Sequence, residues 1–330
     1  MAAPHRRPAV LWAGTVIALV LLVIASLAIG AVPLDPGAAL HALAGQGDAL
    51  AVTIVRELRL PRVALAILVG CALGSSGSAL QGTLRNPLAE PYLLGVSGGA
   101  ALGGVVAMIL GVVDGALLPL AAFAGAIAAV LVVLGLARAA GGARDSRTLL
   151  MAGVVIGAFA NAAILVLLAD QPPDKVRGAL FWMAGSLGDA SWTRVAWLAA
   201  YVLVGVGLLV ARARVLDVLS LGEESAAALG ADVGAATRQV FLLSALLAAA
   251  SVSAAGLIGF VGLVVPNVVR AFGVVRHRPL IVSSALAGAA LVLLSDLLAR
   301  TLRAPIELPI GAITALVGVP VFLSRLRRVR

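Results

Sequence analysis

Apolar residues run along this chain in long blocks, and the polar positions gather between the blocks rather than alternating with them. A helix that crosses a bilayer needs about 20 mostly apolar residues. By that measure the blocks predict spans at 10–32, 63–81, 92–113, 116–137, 148–169, 194–211, 238–256, 257–271, 280–302 and 308–324. The eighth is short enough to be tilted or half-inserted, so the pattern allows nine or ten crossings. No polar segment is long enough to hold a soluble domain. The expected fold is an all-α integral membrane protein, one transmembrane domain over residues 1–330.

Three connecting stretches, 33–62, 170–193 and 212–237, carry local signals. The first mixes Pro33, Pro36, Gly45 and Gly47 with a more regular piece, Ala49–Leu58. The second opens on Gln171-Pro172-Pro173-Asp174, a turn signal, and continues as a short amphipathic helix through Phe181, Trp182 and Met183. Trp182, Trp192 and Trp197 read as residues of the membrane–water boundary, where aromatic side chains concentrate. In the third, Ser220-Leu221-Gly222-Glu223 fits a capping box, a hydroxyl at the N-cap with a glutamate three residues on. Ala226 to Leu229 favour helix and Gly230 is a stop signal. The predicted helix of about nine residues is roughly 13 Å long at 1.5 Å per residue. It is too short to span, so it lies on one face of the membrane, as an interfacial or a docking element.

Composition agrees with the pattern. The chain is 62% hydrophobic and 12% charged, with mean hydropathy +1.12, against about 25% charge in a soluble domain. The net charge of +9 is nearly all arginine, Lys175 being the only lysine. In a soluble protein that balance would suggest nucleic acid. Here the arginines sit at span ends, so they bear on orientation and no nucleic-acid partner is implied. With the N-terminus in the cytoplasm, Arg56, Arg59, Arg62, Lys175, Arg177, Arg194, Arg300 and Arg303 fall outside, and the other 16 of the 24 basic residues fall inside. Both termini are therefore expected in the cytoplasm of a bacterial plasma (inner) membrane protein. The run from Ala9 to Val32 exceeds the roughly 7–15 apolar residues of a cleaved signal, so it is expected to remain as the first span. Cys71 is the only cysteine, which excludes an intramolecular disulfide.

Candidate chemistry is sparse. Asp296 is the one acid well inside a span, a functional candidate by default in a membrane. Arg300, four residues on, shares its helix face and could pair with it structurally. Asn161, mid-span, could line a pathway or bond a neighbouring helix. Glycines, 37 in all, include Gly70-x-x-x-Gly74 and a cluster from Gly95 to Gly104, as suits close helix packing in lipid. His5, His41 and His277 lack metal-ligand spacing, and no G-x-x-x-x-G-K-[ST] loop is present. The chain is read as non-catalytic, with no cofactor and no metal site. If ATP drives it, another polypeptide hydrolyses it.

Arg59-Leu60-Pro61-Arg62, then Gly77, Gln81, Arg85-Asn86-Pro87-Leu88-Ala89-Glu90-Pro91 and Leu94-Gly95-Val96-Ser97-Gly98-Gly99-Ala100, resemble the permeases of the FecCD type. These are membrane subunits of ABC importers for iron–siderophore complexes, haem and vitamin B12. Further matches follow in family order: Leu149 to Gly153, Phe181 to Ser186, Leu221-Gly222-Glu223 with Leu229-Gly230, Gly259 to Pro266, and Glu307-Leu308-Pro309-Ile310-Gly311. The resemblance implies about ten helices in a vitamin B12 permease-like fold and a second permease subunit, as a homodimer. It further implies two cytoplasmic ATPase subunits, an extracytoplasmic binding protein and a metal-chelate cargo, an iron–siderophore in the main reading with haem or cobalamin as alternatives. Leu221, Gly222, Glu223, Glu224, Leu229 and Gly230 fall where the family has its ATPase coupling helix. Asn86, Leu88 and Ser146 match gate positions, and Asn161 is a pathway candidate beside them. Arg59, Arg62 and Arg300 match sites that meet acidic residues of a binding protein. Asp145 and Asn267 depart from the family pattern, which has a small hydroxyl residue and a histidine there. The rival of another class is a proton-coupled secondary transporter using Asp296.

Overall fold

The computed structural model describes residues 6–30, 32–112, 116–141 and 146–326, without the side chains of 6–9, 146, 223 and 324–326. The described chain is helical throughout, and its breaks fall at proline, glycine and short polar caps. Helix α1 (Arg6–Ala28) is followed by two short helices, α2 (Pro36–Leu43) and α3 (Ala49–Thr53). Asp35 and Asp48 begin these by accepting the backbone N–H of Gly37 at 2.9 Å and of Ala51 at 3.3 Å. A π-helical turn, Ile54–Arg59, runs directly into α4 (Leu60–Thr83). A 3₁₀ turn (Pro91–Leu94) and Gly95 at φ +77° lead into α5 (Val96–Ile109).

The chain continues through α6 (Leu117–Ala139), α7 (Ser146–Ala169), the amphipathic α8 (Pro173–Met183) and α9 (Trp192–Ala211). Two short helices, α10 (Ala213–Leu219) and α11 (Glu223–Ala228), precede α12 (Val233–Ala255) and α13 (Val261–Arg270). Helices α14 (His277–Thr301) and α15 (Ile310–Leu326) complete the described chain. Every predicted span coincides with a helix. Among the described residues, however, only seven helical segments are long and apolar enough to cross a membrane, not ten. The helices at the third, eighth and tenth predicted spans are shorter: Val96–Ile109, Val261–Arg270 and Ile310–Leu323. Two of the three carry a proline inside the helix, Pro266 and Pro320, and the remaining one, Val96–Ile109, follows Gly95 in left-handed backbone.

Helix α4 is the axis of the molecule, packed against α9, α12, α13 and α14 and buried along most of its length. Its pairing with α14 is antiparallel and very close. Gly70 and Gly74 lie against the backbone at Gly288 and Ser284, where a Cβ on either glycine would overlap the facing chain. This is the small-residue packing expected of helices in lipid. The Trp182 ring lies against Gly104 of α5, where the glycine leaves room for it.

Candidate functional site

The two ends of the α4–α14 pair carry the candidate residues. At the end where α4 begins and α14 finishes, Arg59, Arg62, Asp296, Arg300 and Glu307 form one charged cluster. Asp296 is fully buried. Arg62 donates from Nε to its Oδ1 at 2.8 Å, while Arg62 Nη1 and Nη2 reach Glu307 Oε1 and Oε2 at 2.7 and 2.9 Å. A two-pronged arginine–carboxylate contact is among the stronger and more directional polar interactions available to a protein. Arg300 stands one turn from Asp296, its Nε 3.4 Å from Oδ2 without hydrogen-bond geometry. The pair expected along one helix is real, but Arg62 of another helix makes the closer bond. Hydrogen bonds from Arg62 hold the Glu307 carboxyl below the usual carboxylate range, against the upward push of partial burial.

The arginines also cap a helix. Arg59, 7% exposed, donates to the carbonyls of Leu27 at 2.5 Å, Ala28 at 2.9 Å and Val32. Arg300 reaches those of Ile29 at 2.9 Å and Ser26 at 3.0 Å. Together they satisfy the carbonyls that the end of α1 leaves open, and each positive charge suits that end of the helix dipole. Gly30 makes room, since a Cβ there would meet the Arg59 guanidinium. Arg59 and Arg62, three positions apart, take different partners, Arg59 at the end of α1 and Arg62 on α14. The π turn that ends at Arg59 closes with Leu60 N–H on Val55 C=O, five residues back.

At the opposite end, α10 packs on α4 and α14 through Ala213, Leu216 and Leu219, and the short α11 follows it. The predicted capping box does not form. Helix α10 runs through Leu219, leaving Ser220 in helical backbone (φ −66°, ψ −18°), and its hydroxyl bonds back to Asp217 O at 2.7 Å. An N-cap needs extended backbone, and Gly222 at φ +110° takes that place, so the helix is the six residues Glu223–Ala228 rather than nine. The predicted stop is as expected: Gly230 sits at φ +80°, with its N–H on Ala227 O and that of Ala231 on Ala226 O. Ala226 faces inward, whereas Leu221 and Leu229 are 64% and 66% exposed at the two ends of the short helix. The Glu223 side chain lies outside the described residues, and Glu224 is exposed.

A polar clamp adds to the buried Leu216, Leu219 and Ala226 in holding this segment to the core. Asp217 of α10 accepts from the backbone N–H of His277 at 2.8 Å, and its Oδ1 lies 2.7 Å from the ring Nδ1. The His277 ring packs against Gly82. Beside it, Asn86 Oδ1 accepts from Leu88 N at 2.9 Å, a local turn that leaves Leu88 half-exposed. Asn267 Nδ2 donates to Pro87 O at 2.9 Å and Leu263 O at 2.8 Å, tying α13 to the same turn. The buried Gln81 amide joins Ala89, Gly262 and Leu263 carbonyls, and its oxygen accepts from Arg270. Glu90 accepts from Phe260 N at 2.8 Å, and burial pushes its carboxyl upward. Asn161 lies on an exposed face of α7, away from that turn. Ser146 begins α7, but its side chain, like Asp145, lies outside the described residues. Glu307 reads in the sequence only as part of a family motif, and the sequence foretells neither its pairing with Arg62 nor the Asp217–His277 clamp. Their partners lie 245 and 60 positions away, a separation no local pattern reports.

The model of the FecCD transport family matches residues 18–328. The chain is 43% identical over 282 residues to the hemin transport system permease protein HmuU of Yersinia pestis, covering 83% of each. It is 34% identical over 324 residues to the Fe(3+)-citrate import system permease protein YfmE of Bacillus subtilis, covering 98% of this chain and 96% of that one. Its fold matches a solved inward-facing conformation of a metal-chelate type ABC transporter with TM-score 0.85 at 30% identity, over 97% of this chain and 99% of the other. Among the described residues no group of histidine, cysteine and acids is arranged to hold a metal. The chain belongs to the FecCD transport family, as a multi-pass membrane permease.

Proposed function

We propose that this chain is the non-catalytic permease subunit of an ATP-driven importer for a metal chelate, working as a homodimer. Its partners are two cytoplasmic ATPase subunits and an extracytoplasmic binding protein. The observation that carries this reading is the near end-to-end likeness to the inward-facing metal-chelate type transporter. The cargo is a metal chelate of the iron, haem or cobalamin kind. The sequence preference for an iron–siderophore gives way to that broader class. Permeases named for hemin and for cobalamin are 43% and 41% identical to this chain, and one named for ferric citrate is 34% identical.

In this reading the three shorter apolar helices complete ten crossings, which leaves both termini in the cytoplasm. The exposed leucines of the α11 segment enter a cleft of the ATPase. The Asn86–Leu88 turn, with Ser146, forms the inner gate, and the exposed Asn161 faces the pathway. The arginine cluster is the outer docking face, built on Arg62 and Arg300, with Arg59 holding the end of α1 beneath them. A proton-coupled carrier is disfavoured, because Asp296 is committed to Arg62 and Arg300 and no second fully buried acid stands among the described residues.

Reconstitution tests the proposal. The purified chain should hydrolyse no ATP. Import of a ferric chelate, haem or cobalamin into proteoliposomes should require the ATPase subunits and the binding protein together. Hydrolysis by the contaminant-free chain, or uptake driven by a proton gradient alone, overturns it.

A further inference from the structure

The docking reading meets a difficulty at the outer cluster, because none of its three arginines is open. Arg59 is buried against carbonyls of α1, and Arg300 is committed to α1 and Asp296. Arg62, the most central, has Asp296 on Nε and Glu307 on both remaining nitrogens. An incoming carboxylate finds the two-pronged face of Arg62 already taken by Glu307.

The two acids on Arg62 are held very differently. Asp296 is fully buried within α14, and removing it would strand a buried cation. Glu307 sits in the connection between α14 and α15, with its side chain 45% exposed. The contact is bidentate, but its carboxylate side is open to solvent, which screens the pair and lets an external carboxylate reach and exchange with it. Geometrically it is what an external carboxylate would be: a bidentate partner approaching from solvent. The neighbouring backbone does not depend on it, since Leu308 N bonds Ala299 O while Ile310 N and Gly311 N bond Gly185 O and Ala184 O.

We propose that Glu307 is an internal stand-in for the binding protein's carboxylate, occupying Arg62 in the free permease and displaced from it when the binding protein docks. This rests on the docking reading and adds to it an internal competitor with a definite sign. A residue that only supports the docking face lowers affinity when changed, whereas a competitor raises it. Release of Glu307 would also free one side-chain tether on the connection into α15, next to the turn at Ala184–Gly185, so docking could be felt at that helix.

The test uses the full-length protein in nanodiscs and its purified, fluorescently labelled substrate-binding protein, at low salt. Glu307→Gln keeps shape and hydrogen-bonding capacity but removes the charge, and should tighten binding about threefold to tenfold. Raised salt should shrink the gain, as for competing charges. Arg62→Gln, in parallel, should weaken binding. If Arg62→Gln weakens binding while Glu307→Gln leaves it equal or weaker, the stand-in proposal is overturned and the docking reading stands. If neither variant changes affinity, the docking reading falls and this proposal with it. Labelling of Arg62 by phenylglyoxal, read by mass spectrometry on the isolated permease, gives a measure free of the partner. It should rise several-fold in Glu307→Gln, and unchanged labelling would show that Glu307 does not shield Arg62.

Discussion

In the proposed orientation, the outer and inner ends of the α4–α14 pair solve opposite problems. The outer end is polar and largely self-paired: two acids and three arginines find partners within the chain, with Arg59 and Asp296 buried. The inner end presents a helix of six residues with two exposed leucines, held to the core by the buried Leu216, Leu219 and Ala226 and by an aspartate–histidine clamp. The contrast shows that a partner at the inner end can add its surface to one left uncovered, as apolar patches commonly mark contact sites. A partner at the outer end has to exchange bonds that already exist. The first kind of contact gains mostly from burial, and the second governs specificity and association rate.

The comparison breaks most visibly at Asp296. Asp296→Ala would leave Arg62 and Arg300 partly buried without their shared counter-ion. Removing one member of a buried pair costs about 3–5 kcal/mol, so the purified permease should show a large loss in thermal stability in detergent. A melting temperature within a degree or two of wild type would mean that the outer end is not held by its charges.

At the inner end the same measurement should barely move. Leu221→Asp or Leu229→Asp changes an exposed side chain, and such substitutions usually shift stability by about 0.5 kcal/mol or less. Desolvating a new charge in an apolar cleft is costly, so affinity for the ATPase subunit should fall at least about tenfold, or about 1.4 kcal/mol. A variant that assembles and transports normally would remove α11 from the coupling interface.

The smallest expected effect is one of pH. Glu307 has its folded pKa depressed by Arg62, so its contribution is complete above the unfolded value of about 4.3 and is lost as pH falls through the lower folded value. The difference in melting temperature between wild type and Glu307→Gln should therefore stay constant from about pH 8 to about pH 5 and close only in stronger acid. A difference that shrinks between pH 7 and 6 would assign the outer end's charge balance to some other group.

Sequence alone determined where the helices lie, because each apolar block must be buried or in lipid whatever surrounds it. It also determined the stop at Gly230, a local backbone requirement, and the family, through motifs spread over most of the chain. Tertiary structure decided the rest. Ser220 became the end of α10 instead of a cap, because the preceding helix continued through Leu219. Arg59 and Arg62, three positions apart, bond to different helices, Arg59 to the end of α1 and Arg62 to α14. The partner that matters most to Arg62 at the surface, Glu307, is 245 residues distant. Hydropathy and turn preference act over a few neighbours, so they can be read from a chain. An ion pair depends on where two side chains end after packing, and that position is set by all the helices together.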